Sequence, residues 1–135
     1  MLETPARQSV GKKILLVDDD ELVRQVCESV LRRNGFEYLV AINGSEAIEI
    51  YRNHKEDICL VLSDVLMPVR SGVELFYDIL QVNPRANVIL MSGYSTVDIV
   101  PDDLRKLCSM MSKPFTPLEL LETVQKCLRY EETKD

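Results

Sequence analysis

Six polar residues stand where chemistry is possible: the run Asp18, Asp19 and Asp20, then Asp64, Ser92 and Lys113. Each stands at or just beyond the end of a short, mostly apolar run: Ile14 to Val17, Ile58 to Ser63, Val88 to Met91 and Leu107 to Met111. Several carboxylates brought within a few ångströms of one another repel, so either one keeps a proton or a cation joins them. Hard oxygen ligands with room for water suit Mg²⁺, with Asp19 and Asp64 as direct ligands. Lys113 offsets negative charge from the other side, and the Ser92 hydroxyl donates to an anionic oxygen. Such a pocket fits a phosphoryl group. Taken singly the residues are unremarkable: three acids suit a helix N-terminus, and a lone lysine snorkels at a surface. Only their joint placement favours a metal and phosphate site.

The elements that position them follow from hydropathy. Ile58 to Asp64 is a continuous apolar run closed by a carboxylate, the pattern of a strand buried on both faces. Pro68 cannot continue a ladder, and Ser71-Gly72-Val73-Glu74 has capping-box spacing, so a helix begins there and Asp64 is left in the crevice between elements. From Asp20, the positions Leu22, Val23, Val26, Cys27, Val30 and Leu31 keep a helical period that Gly35 closes. Tyr38 to Ile42 is the next strand, and Asn43 with Glu46 caps a helix whose inner face carries Ala47, Ile50 and Tyr51.

Pro84 then breaks the chain before Val88 to Met91. Ser95 and Asp98 offer caps for a fourth helix, which Pro101 makes short, kinked or restarted near Asp102. Leu107 to Met111 reads as the fifth strand, and Thr116-Pro117-Leu118-Glu119 opens a final helix that buries Leu120, Leu121, Val124 and Leu128. Five strands alternating with five helical patterns imply a doubly wound α/β domain, with the strand-end residues gathered on the carboxyl edge of a parallel sheet.

Length and charge bound the rest. The chain has 135 residues, suiting one domain, and its net charge of −6 argues against direct nucleic-acid or anionic-membrane binding. No apolar run approaches the roughly 20 residues that span a bilayer, and no secretory signal is visible, so a cytoplasmic location is expected. Cys27, Cys59, Cys108 and Cys127 lack C-x-x-C spacing and read as reduced core residues. His54, the sole histidine, lies in a polar stretch and reads as a surface residue. Residues 1–12 read as a flexible leader or linker remnant and 131–135 as a polar tail, leaving 13–130 as the domain.

Leu16-Val17-Asp18-Asp19, Asp64 with Met67-Pro68 and Gly72, Met91-Ser92-Gly93 and Lys113-Pro114-Phe115 together resemble the receiver domain of two-component response regulators, including the chemotaxis type. The resemblance implies a flavodoxin-like sheet of order 2-1-3-4-5 and Asp64 as phosphoacceptor. It further implies metal binding by Asp18, Asp19, Asp64 and the Leu66 carbonyl, Ser92 as switch hydroxyl, and Lys113 as phosphate contact before a peptide bond that is commonly cis. The phosphoryl donor is then a histidine kinase or histidine phosphotransfer protein. Output passes through the face of the fourth helix, fifth strand and fifth helix to an effector domain or partner. Such a domain is a phosphorylated signalling element that assists its own phosphotransfer and dephosphorylation, not an enzyme.

Three departures from the family pattern stand out. Met110 occupies the usual switch-aromatic position; the segment from Tyr94 to Leu107 is compact and lacks the Gly-Ala pair; and Leu66 and Tyr94 flank the path of the hydrolytic water, which predicts a long-lived phosphoryl group. A phosphorylation-independent binding module of the same fold is the alternative. A phosphatase of similar topology needs a general acid two residues beyond the nucleophile, where this chain has Leu66. The chain reads as a stand-alone receiver or, with slight preference, one excised from a longer hybrid kinase.

Overall fold

The computed structural model describes residues 12–93 and 97–132. Five parallel strands, β1 (Lys13–Val17), β2 (Glu37–Ala41), β3 (Ile58–Asp64), β4 (Val88–Ser92) and β5 (Ser109–Ser112), form one sheet in the order β2-β1-β3-β4-β5. The helices between and after them are α1 (Glu21–Arg33), α2 (Gly44–His54), α3 (Gly72–Val82), α4 (Asp102–Arg105) and α5 (Pro117–Glu132). This is the flavodoxin-like arrangement expected from the sequence.

Alternating side chains of the strands feed two cores, one on each face of the sheet. Leu15, Val17, Val61 and Leu90 pack with Tyr51 of α2 and Leu75, Phe76 and Ile79 of α3. Ile14, Leu16, Leu60, Leu62 and Ile89 pack on the other face with Cys27 and Leu31 of α1 and Leu120, Val124 and Leu128 of α5. Each fully buried side chain of this size contributes roughly 1.5–3 kcal/mol of transfer free energy. The central strand β3 therefore has no solvated face, and its terminal Asp64 is held by packing on both sides.

The caps form where side-chain chemistry called for them. Asp20 Oδ1 accepts from the Leu22 and Val23 amides, Asn43 from Glu46, and Ser71 with Glu74 closes a full capping box. Thr116 and Glu119 make the reciprocal pair at the start of α5. The chain before α4 is a 3₁₀ turn, Val97–Ile99, and α4 restarts after Pro101 without a side-chain cap, so the expected interruption is present. Ser95 falls outside the described residues.

Three readings need correction. The fifth strand is Ser109–Ser112, not Leu107 to Met111, because Leu107 is 52% exposed and its amide closes the end of α4 by donating to the Leu104 carbonyl at 2.9 Å. Ile42 lies beyond β2 and is exposed. Leu22 and Val26 share the period of α1 but face solvent, while Cys27, Val30 and Leu31 are buried and Val23 packs beside them. The last helix ends in the polar pair Glu131 and Glu132. Residues 1–11 and 133–135, where most of the leader and tail readings fall, lie outside the described residues.

All four cysteines are free, two buried and two partly so. Burial pushes the Cys27 thiol up to about 12 and the Cys108 thiol up to about 11, so both are held as unreactive thiols. Among the described residues no helix is long and apolar enough to cross a membrane.

Candidate functional site

Asp18 directly follows β1 and is fully buried, while its neighbours diverge in role. Asp20 turns back to cap α1 and donates its own N–H to Asp18 Oδ1 at 2.9 Å, and Arg24 Nη1 donates to the Asp18 carbonyl at 2.9 Å. The acidic run is thereby sorted into one cap residue and two residues free to act at the sheet edge. Asp64 ends β3 opposite Met91 of β4, and Ser92 is the next residue along, 3% exposed. Lys113 follows β5, its N–H donating to the Ser92 carbonyl at 2.8 Å, and the Lys113-Pro114 peptide is cis.

One carboxylate oxygen from each of Asp18, Asp19 and Asp64 lies within 4.8 Å of the others. Lys113 Nζ lies 3.2 Å from Asp64 Oδ2 and 3.4 Å from Asp18 Oδ2. Burial is the main influence that raises the Asp18 carboxyl above its ordinary value; the Asp20 amide opposes it, and the Asp64 charge adds to it. Burial likewise raises Asp64, against the pull of Lys113 and of hydrogen bonds from the Val65 and Leu66 amides. For Lys113, burial pulls the ammonium down, but attraction to Asp18 and Asp64 carries it above its ordinary value. Two carboxylates reluctant to ionise, with one ammonium to offset them, leave a site that a divalent cation would complete with oxygen ligands.

The loop after β3 shapes the mouth. Leu66 points its side chain into solvent, 57% exposed, while its amide faces Asp64. Gly72 has no room for a side chain: an added Cβ would lie 2.1 Å from the Asp64 carbonyl oxygen. That close approach, tied by Gly72 N–H to the Val65 carbonyl at 2.8 Å, brings the start of α3 against the end of β3. Met110 is half-buried against the core under α2 and α3, its sulfur 3.9 Å from Cys108 Sγ. Tyr94 lies outside the described residues.

Sequence reasoning missed three contributors. Leu22 and Val26 line an apolar depression with Lys113, Pro114 and Phe115 beside the acidic site. Their helical period gave no sign that they were solvent-facing. Arg70 reaches α3 to pair with Asp78, a contact that crosses the turn between elements and has no signature in either stretch alone.

A doubly wound sheet carrying an acidic pocket braced by a lysine at its carboxyl edge defines an α/β domain for a cation and a transferable anion. The chain belongs to the response regulator receiver domain family, whose sequence pattern matches residues 14–125. It is 33% identical over 121 residues to the chemotaxis protein CheY of Bacillus subtilis, covering 88% of this chain and 99% of that one. Identity to sporulation initiation phosphotransferase F of the same organism is 29% over 121 residues, covering 88% and 95%. Among solved structures, a CheX–CheY–BeF₃–Mg²⁺ complex from Borrelia burgdorferi aligns with a TM-score of 0.78 at 27% identity, covering 85% of this chain and 87% of that one. A CheY-like receiver domain protein from Methanospirillum hungatei aligns with a TM-score of 0.83 at 26% identity, covering 92% and 98%. The protein is thus a receiver domain of two-component systems, a class of signalling domain that typically binds Mg²⁺ at an acidic pocket.

Proposed function

We propose that Asp64 is a phosphoacceptor that takes a phosphoryl group from the phosphohistidine of a histidine kinase or histidine phosphotransfer protein. The observation that carries this reading is the Asp64 carboxylate itself, presented at a strand end with Lys113 Nζ at 3.2 Å and the acidic pair Asp18 and Asp19 beside it. An Asp64 oxygen forms the new P–O bond as the P–N bond breaks, and the imidazole nitrogen leaves with the electron pair. Asp18, Asp19, Asp64 and the Leu66 carbonyl would hold Mg²⁺, which supplies charge neutralisation for the phosphoryl oxygens when bound.

The chain's own residues do the rest. The Leu66 amide, facing the Asp64 carboxylate, helps orient it for attack, while the Val65 N–H anchors the end of β3 on the Met91 carbonyl at 3.0 Å. Lys113 exchanges part of its pairing with Asp18 and Asp64 for the incoming oxygens, and the Ser92 hydroxyl donates to one of them. Drawing β4 and β5 ends inward biases a two-state surface built by α4, β5 and α5, where an effector domain or partner would read it. Met110 replaces ring rotation there with repacking of a flexible thioether. The functional unit is residues 13–130, acting as a signalling domain that assists its own phosphotransfer and dephosphorylation.

Incubation with Mg²⁺ and acetyl phosphate, followed by intact mass, tests the reading. One phosphoryl adduct that requires Mg²⁺ and is lost in Asp64→Asn is expected. No adduct, together with no metal-dependent amide shift, would leave a phosphorylation-independent binding module instead.

A further inference from the structure

The loop between β3 and α3 carries the Val65 and Leu66 backbone past Asp64, and it is held in an unfavourable shape. Val69 has φ of 70°, a region that β-branched residues avoid because Cβ crowds the neighbouring carbonyl. The Arg70 N–H donates to the Pro68 carbonyl at 2.7 Å, closing a γ-turn around Val69 of the strained, positive-φ kind. The Val69 side chain is 77% exposed, so its own packing does not hold it there. Strain of this kind persists only where the surroundings over-determine it.

Arg70 is fastened at both ends. Its guanidinium forks onto Asp78 in the second turn of α3, with Nε donating to Oδ2 at 2.5 Å and Nη2 to Oδ1 at 3.0 Å. Its carbonyl accepts the Gly44 N–H at 3.0 Å, an approach so close that a Cβ on Gly44 would stand 2.4 Å from that oxygen. One residue therefore ties the turn to α3 through its side chain and to the start of α2 through its backbone. A two-pronged guanidinium–carboxylate pair fixes orientation as well as distance, which a single ammonium does not.

We propose that Arg70 is a positioning residue, whose fork onto Asp78 holds the strained turn at Val69 and so keeps the Leu66 backbone presented to Asp64, beyond Val65, which is already fixed by the Met91 carbonyl and the Gly72 N–H. The inference rests on the reading of Asp64 as a phosphoacceptor beside a divalent cation. Releasing the fork lets Val69 fall back to negative φ, which carries the peptide planes ahead of it out of register with the carboxylate. Neither Arg70 nor Asp78 is placed among the groups that touch the ion or the phosphoryl group.

The test compares wild type, Arg70→Met, Arg70→Lys and Asp78→Asn, each also in a Val69→Gly background. Three quantities are read: the Mg²⁺ dissociation constant by calorimetry, the rate of phosphorylation by acetyl phosphate, and amide exchange of residues 65–70 in metal-free protein. Arg70→Met and Asp78→Asn should each weaken Mg²⁺ binding by about tenfold, the usual effect of losing a group that orients a metal ligand. They should slow phosphorylation and speed exchange in the loop, with Arg70→Lys intermediate. Glycine adopts positive φ without strain, so the Val69→Gly background should shrink these losses. Variants that keep wild-type metal affinity, phosphorylation rate and loop exchange while losing only thermal stability would overturn the proposal. Losses of the same size with and without Val69→Gly would overturn it too. A wild type that neither binds Mg²⁺ nor takes up phosphate would instead overturn the reading of Asp64, whereas the exchange measurement still reports on the fork.

Discussion

Lys113 Nζ stands 3.2 Å from Asp64 Oδ2, an ion pair that spans from the end of β5 to the end of β3 across the intervening β4. The same ammonium is 3.4 Å from Asp18 Oδ2, so one positive charge serves two carboxylates at an edge where Asp19 adds a further one. This imbalance governs how the site responds to protons, metal and substitution.

Proton dependence follows directly. Asp18 and Asp64 are both raised above the ordinary 3.8, chiefly by burial. Each binds its proton more tightly folded than unfolded, so its contribution to stability is full below the unfolded value and is lost as pH rises through the folded one. In metal-free urea unfolding, Asp64→Asn should therefore gain stability relative to wild type as pH rises above the ordinary carboxylate value, because wild type alone loses the contribution of the protonated Asp64. A difference that does not change with pH would show that Asp64 is not held against ionisation.

Removing the shared cation should have the opposite sign. Lys113→Met leaves Asp18 and Asp64 without their countercharge; loss of one partner from a fully buried pair costs about 3–5 kcal/mol. Lys113 retains 25% of its side-chain exposure, which screens the pair, so a loss of about 1–3 kcal/mol is expected in metal-free protein. Added Mg²⁺ should recover part of it. Urea midpoints with and without the ion check both statements.

The hydrolysis of the phosphoryl group should be limited by Leu66. Its exposed apolar side chain stands two residues beyond Asp64 at the mouth of the site, where it offers an approaching water no hydrogen-bond partner. Leu66→Asn supplies one, and the phosphorylated domain should lose its label several-fold faster. An unchanged lifetime, followed by intact mass after removal of donor, would count against this role.

Backbone contact at Gly72 makes a prediction independent of charge. Gly72→Ala drives a Cβ to 2.1 Å from the Asp64 carbonyl oxygen and must displace either α3 or the end of β3, at a cost of roughly 1–3 kcal/mol. Gly93→Ala meets nothing within 4 Å and should stay within about 0.5 kcal/mol of wild type. Equal urea midpoints for the two variants would contradict the packing described here.

Much of the architecture was legible because hydropathy period and turn chemistry agree at Asp18, Asp64, Ser92 and Lys113, each placed where an aliphatic run stops. The topology then brings those stops to one edge without further information. Leu107 misled because an apolar residue closing a four-residue helix looks the same as the first residue of a strand. Leu22 and Val26 misled because a helix over a sheet buries a narrower stripe than its apolar residues mark out. The fork of Arg70 onto Asp78 had no local pattern, and a valine argues against positive φ, so the strained turn at Val69 was invisible before the backbone was known.

The central claim is that Asp64 receives the phosphoryl group. The direct measurement is to phosphorylate the protein in Mg²⁺ and acetyl phosphate, reduce the acyl phosphate with borohydride, and locate the resulting homoserine by peptide mass. Homoserine at position 64 alone, absent without Mg²⁺, is the predicted result. Homoserine at Asp18 or Asp19, or none at all under conditions that phosphorylate a control receiver domain, would contradict the account.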